Sequence, residues 1–191
     1  MAMTKLDNLR KRAHRAGGSP RAWASATVLA RLALATGFLS AVADRFGLWG
    51  KPGSGNVGWG TYDLYLAYVH ELAPYLPGGF VDAVGGVATA VEATLGIALL
   101  LGVAVRLSAW ASTGVLLTFA LSMFLFSHPE APFSASVFSA AALALLLALA
   151  PTGAYALALD RKLGLERSHS GSLPRPQTCT CRTATAPEQG Q

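Results

Sequence analysis

Residues 80–102 read FVDAVGGVATAVEATLGIALLLG. Beyond Asp82 this run holds a single ionisable group, Glu92, with apolar and small residues on both sides. A bilayer core about 30 Å thick takes about 20 apolar residues to cross as a helix, so the run reads as a membrane span. Similar stretches lie at 22–43, 107–126 and 133–150. The fold class that follows is all-α and integral to a membrane: an antiparallel bundle of four transmembrane helices. A carboxylate at that depth is costly unless it is paired, which makes Glu92 the first place to look for function.

The composition agrees. The chain has 191 residues, 52% of them hydrophobic and 13% charged, against about a quarter charged in soluble domains. One membrane domain, 22–160, uses most of the length, between a flexible basic segment at 1–21 and a polar tail at 161–191 that reads as disordered. The net charge of +5 does not point to nucleic acid. Its bases gather outside the spans and have no aromatic interleaving.

Charge also orients the bundle. Lys5, Arg10, Lys11, Arg12, Arg15 and Arg21 precede the first span; Arg161, Lys162, Arg167, Arg175 and Arg182 follow the fourth. Arg106 lies between the second and third. The long connection after the first span balances Arg45 and Lys51 against Asp44, Asp63 and Glu71, and the one after the third holds Glu130. Basic residues stay in the cytoplasm, so both termini are expected there. Ala41-Val42-Ala43 resembles a signal-peptide cleavage site, but the preceding run is too long and carries Arg31.

The first connection has structure of its own. Turn residues around Pro52 give way to Tyr62, Leu66, Val69 and Leu72 at helical spacing, ended by Pro74. This predicts a short amphipathic helix over Thr61–Ala73 in the first extracytoplasmic loop. Trp49, Trp59, Tyr62, Tyr65, Tyr68 and Tyr75 suit the headgroup layer. The helix reads as an interfacial anchor or as a lid over the outer mouth.

Counting from the inner ends of their spans places Arg31 and Glu92 at similar depth, roughly 12–15 Å in at 1.5 Å per residue. An ion pair between them is the expectation; the alternative has Arg31 reaching the inner headgroups and Glu92 neutral. Gly85, Ala88, Thr89, Glu92 and Gly96 form a small-residue stripe that turns Glu92 into the bundle. Ser108, Ser112 and Ser122 mark the third span, Ser136 and Ser139 the fourth. An outer-mouth cluster of Asp44, Arg45, Asp82 and His128 reads chiefly as solvated helix-end charges. Arg106 belongs to the inner surface. No metal, haem or flavin motif is present. Cys179 and Cys181 read as reduced residues of the tail.

Four segments together carry a family resemblance: Arg31-Leu32-Ala33-Leu34; Ala43-Asp44-Arg45-Phe46-Gly47; Glu92 with Gly96 and Gly102; and Arg106-Leu107-Ser108-Ala109. The Glu-x3-Gly-x5-Gly-x3-Arg spacing from Glu92 to Arg106 is the most telling. This pattern resembles the DoxX family of small four-helix bacterial membrane proteins over about 26–149. The loop with Val57-Gly58-Trp59-Gly60 is longer than in the shortest members.

The resemblance implies a multi-pass protein of the bacterial inner membrane with a quinone-linked, redox-associated role. Glu92 and Arg31 would then be the polar centre of the bundle, with Glu92 moving the proton that accompanies electron transfer. No electron carrier is visible, so a soluble redox enzyme or a second membrane subunit would supply one. A scaffold recruiting such enzymes through the basic tails and a small transporter gated by Arg31 and Glu92 stand beside that reading, as does a homo-oligomer.

Overall fold

The computed structural model describes residues 19–55, 57–155 and 158. The basic segment 1–21 falls almost wholly outside them, and the tail 161–191 with Cys179 and Cys181 falls entirely outside.

Local chemistry sets the helix boundaries. Helix α1, Pro20–Arg45, opens on Ser19, whose hydroxyl accepts from the Ala22 N–H at 3.2 Å, with Pro20 in the first turn where its missing N–H costs nothing. Helix α2, Tyr62–Leu72, opens on Thr61 in the same way, its hydroxyl accepting from the Leu64 N–H. This is the amphipathic helix expected over Thr61–Ala73. Helix α3, Gly78–Leu101, follows Pro77 and closes on Gly102 in the left-handed region at φ 72°. Helix α4 spans Val105–Phe126.

The fourth stretch departs from expectation. Instead of one helix over 133–150, a single turn, α5 at Ala131–Ser134, is followed by α6 at Val137–Leu149. Ser136 sits between them at φ 56°, which interrupts the helical run. The 13 residues of α6 cover about 20 Å at 1.5 Å per residue, short of a bilayer core. A 3-10 turn, Thr152–Ala154, follows.

The described residues are all helical or irregular, without a strand. Helices α1, α3 and α4 are long and apolar enough to cross a membrane, which marks a multi-pass membrane protein. Their outward faces agree: Leu29, Val87, Ile97, Leu107 and Leu125 are all exposed, an apolar surface that suits contact with lipid.

Helix α1 packs chiefly on α3, and α4 chiefly on α6, while α2 lies against α3 and also touches α1 and α4. The α1–α3 contact is close because Gly96 has no side chain: a Cβ there would come within 2.8 Å of Leu39 Cγ. Leu34, Phe38, Leu95, Leu99, Val105, Ala109, Leu116, Ala144 and Leu147 form the core. It is densest toward the end where α1 begins. At the other end, beneath α2, the helices line a half-open cavity.

Candidate functional site

The centre of that end is an ion pair, and its cation is Arg45. The Arg45 guanidinium donates through Nη2 to both oxygens of Glu92, at 2.8 and 2.7 Å, and through Nη1 to Thr89 Oγ1 at 2.8 Å. Glu92 is 2% exposed and Arg45 3%. Two buried charges stay charged only when each meets the other with good geometry, and this contact does so. The Thr89 hydroxyl in turn donates a hydrogen bond to the Gly85 carbonyl at 2.9 Å.

Aromatic rings complete the cation's surroundings. The guanidinium carbon lies 3.8 Å from the centroid of Tyr65 and 5.5 Å from that of Trp59. Trp59 meets Tyr65 edge-on at 5.4 Å. The Tyr65 hydroxyl donates to Gly85 O at 3.3 Å. Burial pushes the Tyr65 pKa up and the nearby Arg45 charge counters part of that rise. A raised pKa keeps the hydroxyl protonated, as its donor role requires.

Asp44 positions this aromatic wall. Its carboxylate accepts from the backbone N–H of Gly58 at 3.3 Å and of Trp59 at 2.7 Å, tying the loop back to the last turn of α1. Asp44 is 6% exposed, so neither it nor Arg45 is a solvated helix-end charge. Asp82 and His128 do not join them. Asp82 is exposed and meets His70 of α2 at 3.1 Å; His128 is exposed in the turn before α5. The four residues of the expected outer-mouth cluster therefore do not form one group, and among the described residues no His, Cys, Asp and Glu group is placed to hold a metal.

Arg31 lies elsewhere. Its side chain is buried, and it donates to the carbonyls of Leu99 at 3.1 Å and Leu100 at 3.4 Å, at the C-terminal end of α3. A cation there meets carbonyls that the helix leaves unsatisfied. Close by, the Thr27 hydroxyl donates to Ala154 O at 2.7 Å, fastening the turn after α6 to α1. The expected Arg31–Glu92 pair is thus replaced by Arg45–Glu92. Equal depth for Arg31 and Glu92 requires the two helices to be flush at one end. Gly96 instead packs on Phe38 and Leu39, which sets Glu92 level with the last turn of α1 and Arg31 level with the end of α3. Arg106 is exposed at the start of α4, at the Arg31 end.

The cavity next to Arg45 and Glu92 has a volume of about 810 Å³. Ala33, Gly37 and Phe38 of α1 form one wall, Phe119 and Ser122 of α4 and Ser139 of α6 another. Trp59 and the α2 residues Tyr65, Tyr68 and Leu72 cover it. Arg45 and Glu92 are the only charged residues lining it among those described. Arg45 Nε is buried and has no hydrogen-bond partner among the described residues. The other half of the serine stripe does not reach the cavity: Ser108 and Ser112 are buried and donate to carbonyls of their own chain segment, Val103 and Ser108.

The chain matches no family model, no curated protein and no solved structure. The DoxX family is therefore an expectation carried by four sequence segments alone. Of these, Asp44, Arg45 and Glu92 meet at one end of the bundle, and Arg31 and Arg106 belong to the other.

Proposed function

We propose that the chain is a DoxX-like membrane protein, with α6 and its flanking turns as a fourth span, that holds a quinone in the cavity beneath α2. Its role is that of the membrane subunit of a redox assembly. The observation that carries this reading is the cavity itself. It is about 810 Å³ and mostly apolar, and its charged lining among the described residues is one buried pair, Arg45 and Glu92. Ligand sites of about 300–1,000 Å³ have this character: apolar walls with a few placed polar groups.

The residues fit a quinone head. Ser122 and Ser139 offer hydroxyls to its ring carbonyls. Trp59, Tyr65 and Tyr68 offer ring faces and edges to a planar ring. The walls from α1 and α4 suit an isoprenoid tail. A bound quinone supplies a two-electron, two-proton redox couple, the electrons coming from a partner subunit. Glu92, with both oxygens on Arg45, fixes and neutralises the guanidinium.

The charge pattern supports a cytoplasmic location for the Arg31 end. Arg21 and Arg106 lie there, whereas Asp63, Glu71, Asp82 and Glu130 lie at the α2 end. That orientation supports cytoplasmic termini, and the DoxX resemblance supports the bacterial inner membrane. Purification from bacterial membranes in mild detergent, with mass spectrometry of bound lipids, tests the function. A quinone retained by the wild type and lost in Gly37→Leu is expected. Gly37 lines the cavity and has open space where a side chain would go. A preparation with no quinone, or equal loading of both proteins, contradicts the proposal.

A further inference from the structure

We infer that the cavity accepts the neutral, hydrogen-bond-accepting end of a lipid-soluble molecule and rejects anionic headgroups, because Glu92 has already neutralised Arg45. This rests on the proposed ligand site beneath α2 but not on the ligand being a quinone. A lone buried arginine in an apolar cavity is a site for a carboxylate, sulfate or phosphate. Here both Glu92 oxygens are bonded to Nη2, and Thr89 takes Nη1. The pair is neutral as a unit, and no second cation lines the cavity among the described residues.

An anion entering this space therefore loses its hydration without gaining a counter-charge, and meets the Glu92 carboxylate within reach of the same guanidinium. A ketone, ester, ether or amide oxygen faces a smaller cost. It carries no charge to desolvate and needs no counter-charge from the pair. The hydroxyls of Ser122 and Ser139 across the cavity are also uncharged. Glu92 is in this sense a specificity-determining residue, acting through Arg45.

The test uses the full chain in detergent with Trp59, which lines the cavity, as the sole tryptophan after Trp23, Trp49 and Trp110 are replaced by Phe. Two brominated probes of equal chain length, dibromostearic acid methyl ester and dibromostearyl sulfate, are titrated, and quenching of Trp59 is read. The ester is expected to quench saturably and at least about tenfold more tightly than the sulfate, a difference of about 1.4 kcal/mol. Gly37→Leu removes the saturable component. Glu92→Gln exposes the Arg45 charge and reverses the order, so that the sulfate becomes the tighter probe.

If Glu92→Gln does not fold, the double variant Arg45→Met/Glu92→Met serves in its place. Replacing a buried pair by apolar residues preserves folding more often than breaking it. The sulfate should then remain the weaker probe, since the apolar cavity still offers it no counter-charge, and a sulfate that binds as tightly as the ester would overturn the inference. Sulfate binding as tight as ester binding in the wild type overturns the inference, as does ester quenching that survives Gly37→Leu. Adding a short-chain quinone separates the two proposals. If the ester binds as described and the quinone fails to displace it, the quinone reading falls and the neutral-ligand inference stands.

Discussion

Asp44 and Arg45 are neighbours on the last turn of α1, and their side chains serve different parts of one site. Asp44 turns to the loop and accepts from the Gly58 and Trp59 N–H groups. Arg45 turns to α3 and joins Glu92 and Thr89. Hydrogen bonds to a charged acceptor contribute about 1.5–3 kcal/mol each. Asp44→Ala should therefore free the loop without unfolding the bundle. Hydrogen exchange at Gly58 and Trp59 should accelerate by about tenfold or more, while the amides of α1 keep their protection. Unchanged exchange at both amides would mean the clamp is not what orders the loop. Asp44 and Arg45 were visible in the sequence as charges at a helix end, and charges there are usually solvated. Only the loop folding back over them makes them buried, and no local pattern announces that.

Among the elements, α2 shows how far periodicity carries. Its four apolar positions and the terminating Pro74 were enough to place it within a residue at each end. Its role as a roof depends on Gly85 of α3, where a Cβ would come within 2.6 Å of Leu66 Cδ2. Gly85→Leu should lift α2 from α3. In a background with Cys179 and Cys181 changed to Ser, a cysteine at Ala88, which lines the cavity, should then react about tenfold faster with a water-soluble thiol reagent. An unaltered rate would show that water already reaches the cavity past α2.

The turn before α4 offers a second test. Ala104 stands at φ 46°, where an L residue is strained by about 1–2 kcal/mol. Ala104→Gly should stabilise the protein by up to about 1 kcal/mol in reversible unfolding, and a loss of stability would contradict the assigned backbone. Hydropathy alone gave no warning of the left-handed Ser136. The composition of 133–150 suits a continuous helix, and the break lies in one residue's backbone rather than in its polarity.

At the scale of the whole molecule, what was legible was burial pattern, and what was not was register. Apolar length separated α1, α3 and α4 cleanly, and the small-residue stripe turned Glu92 inward. The partner of Glu92 depended on how far α1 slides along α3. That slide is set by Gly96 receiving Leu39, a contact between helices that no single-helix periodicity contains. The orientation is open to a direct check. Reporter fusions at the turn 102–104 should read cytoplasmic and fusions within 51–55 should read extracytoplasmic; the reverse assignment would turn the roof of the cavity toward the cytoplasm.

The assignment of Arg45, and not Arg31, as the buried counter-charge of Glu92 is directly measurable. A double-mutant cycle in bilayer nanodiscs measures it, with reversible unfolding of Arg45→Met, Glu92→Met and the double variant, beside the same cycle on Arg31 and Glu92. Breaking a buried pair costs about 3–5 kcal/mol and removing both partners far less. A coupling of at least about 2 kcal/mol is expected for Arg45 with Glu92 and close to none for Arg31 with Glu92. A coupling that vanishes in the first cycle, or that appears in the second, would contradict it.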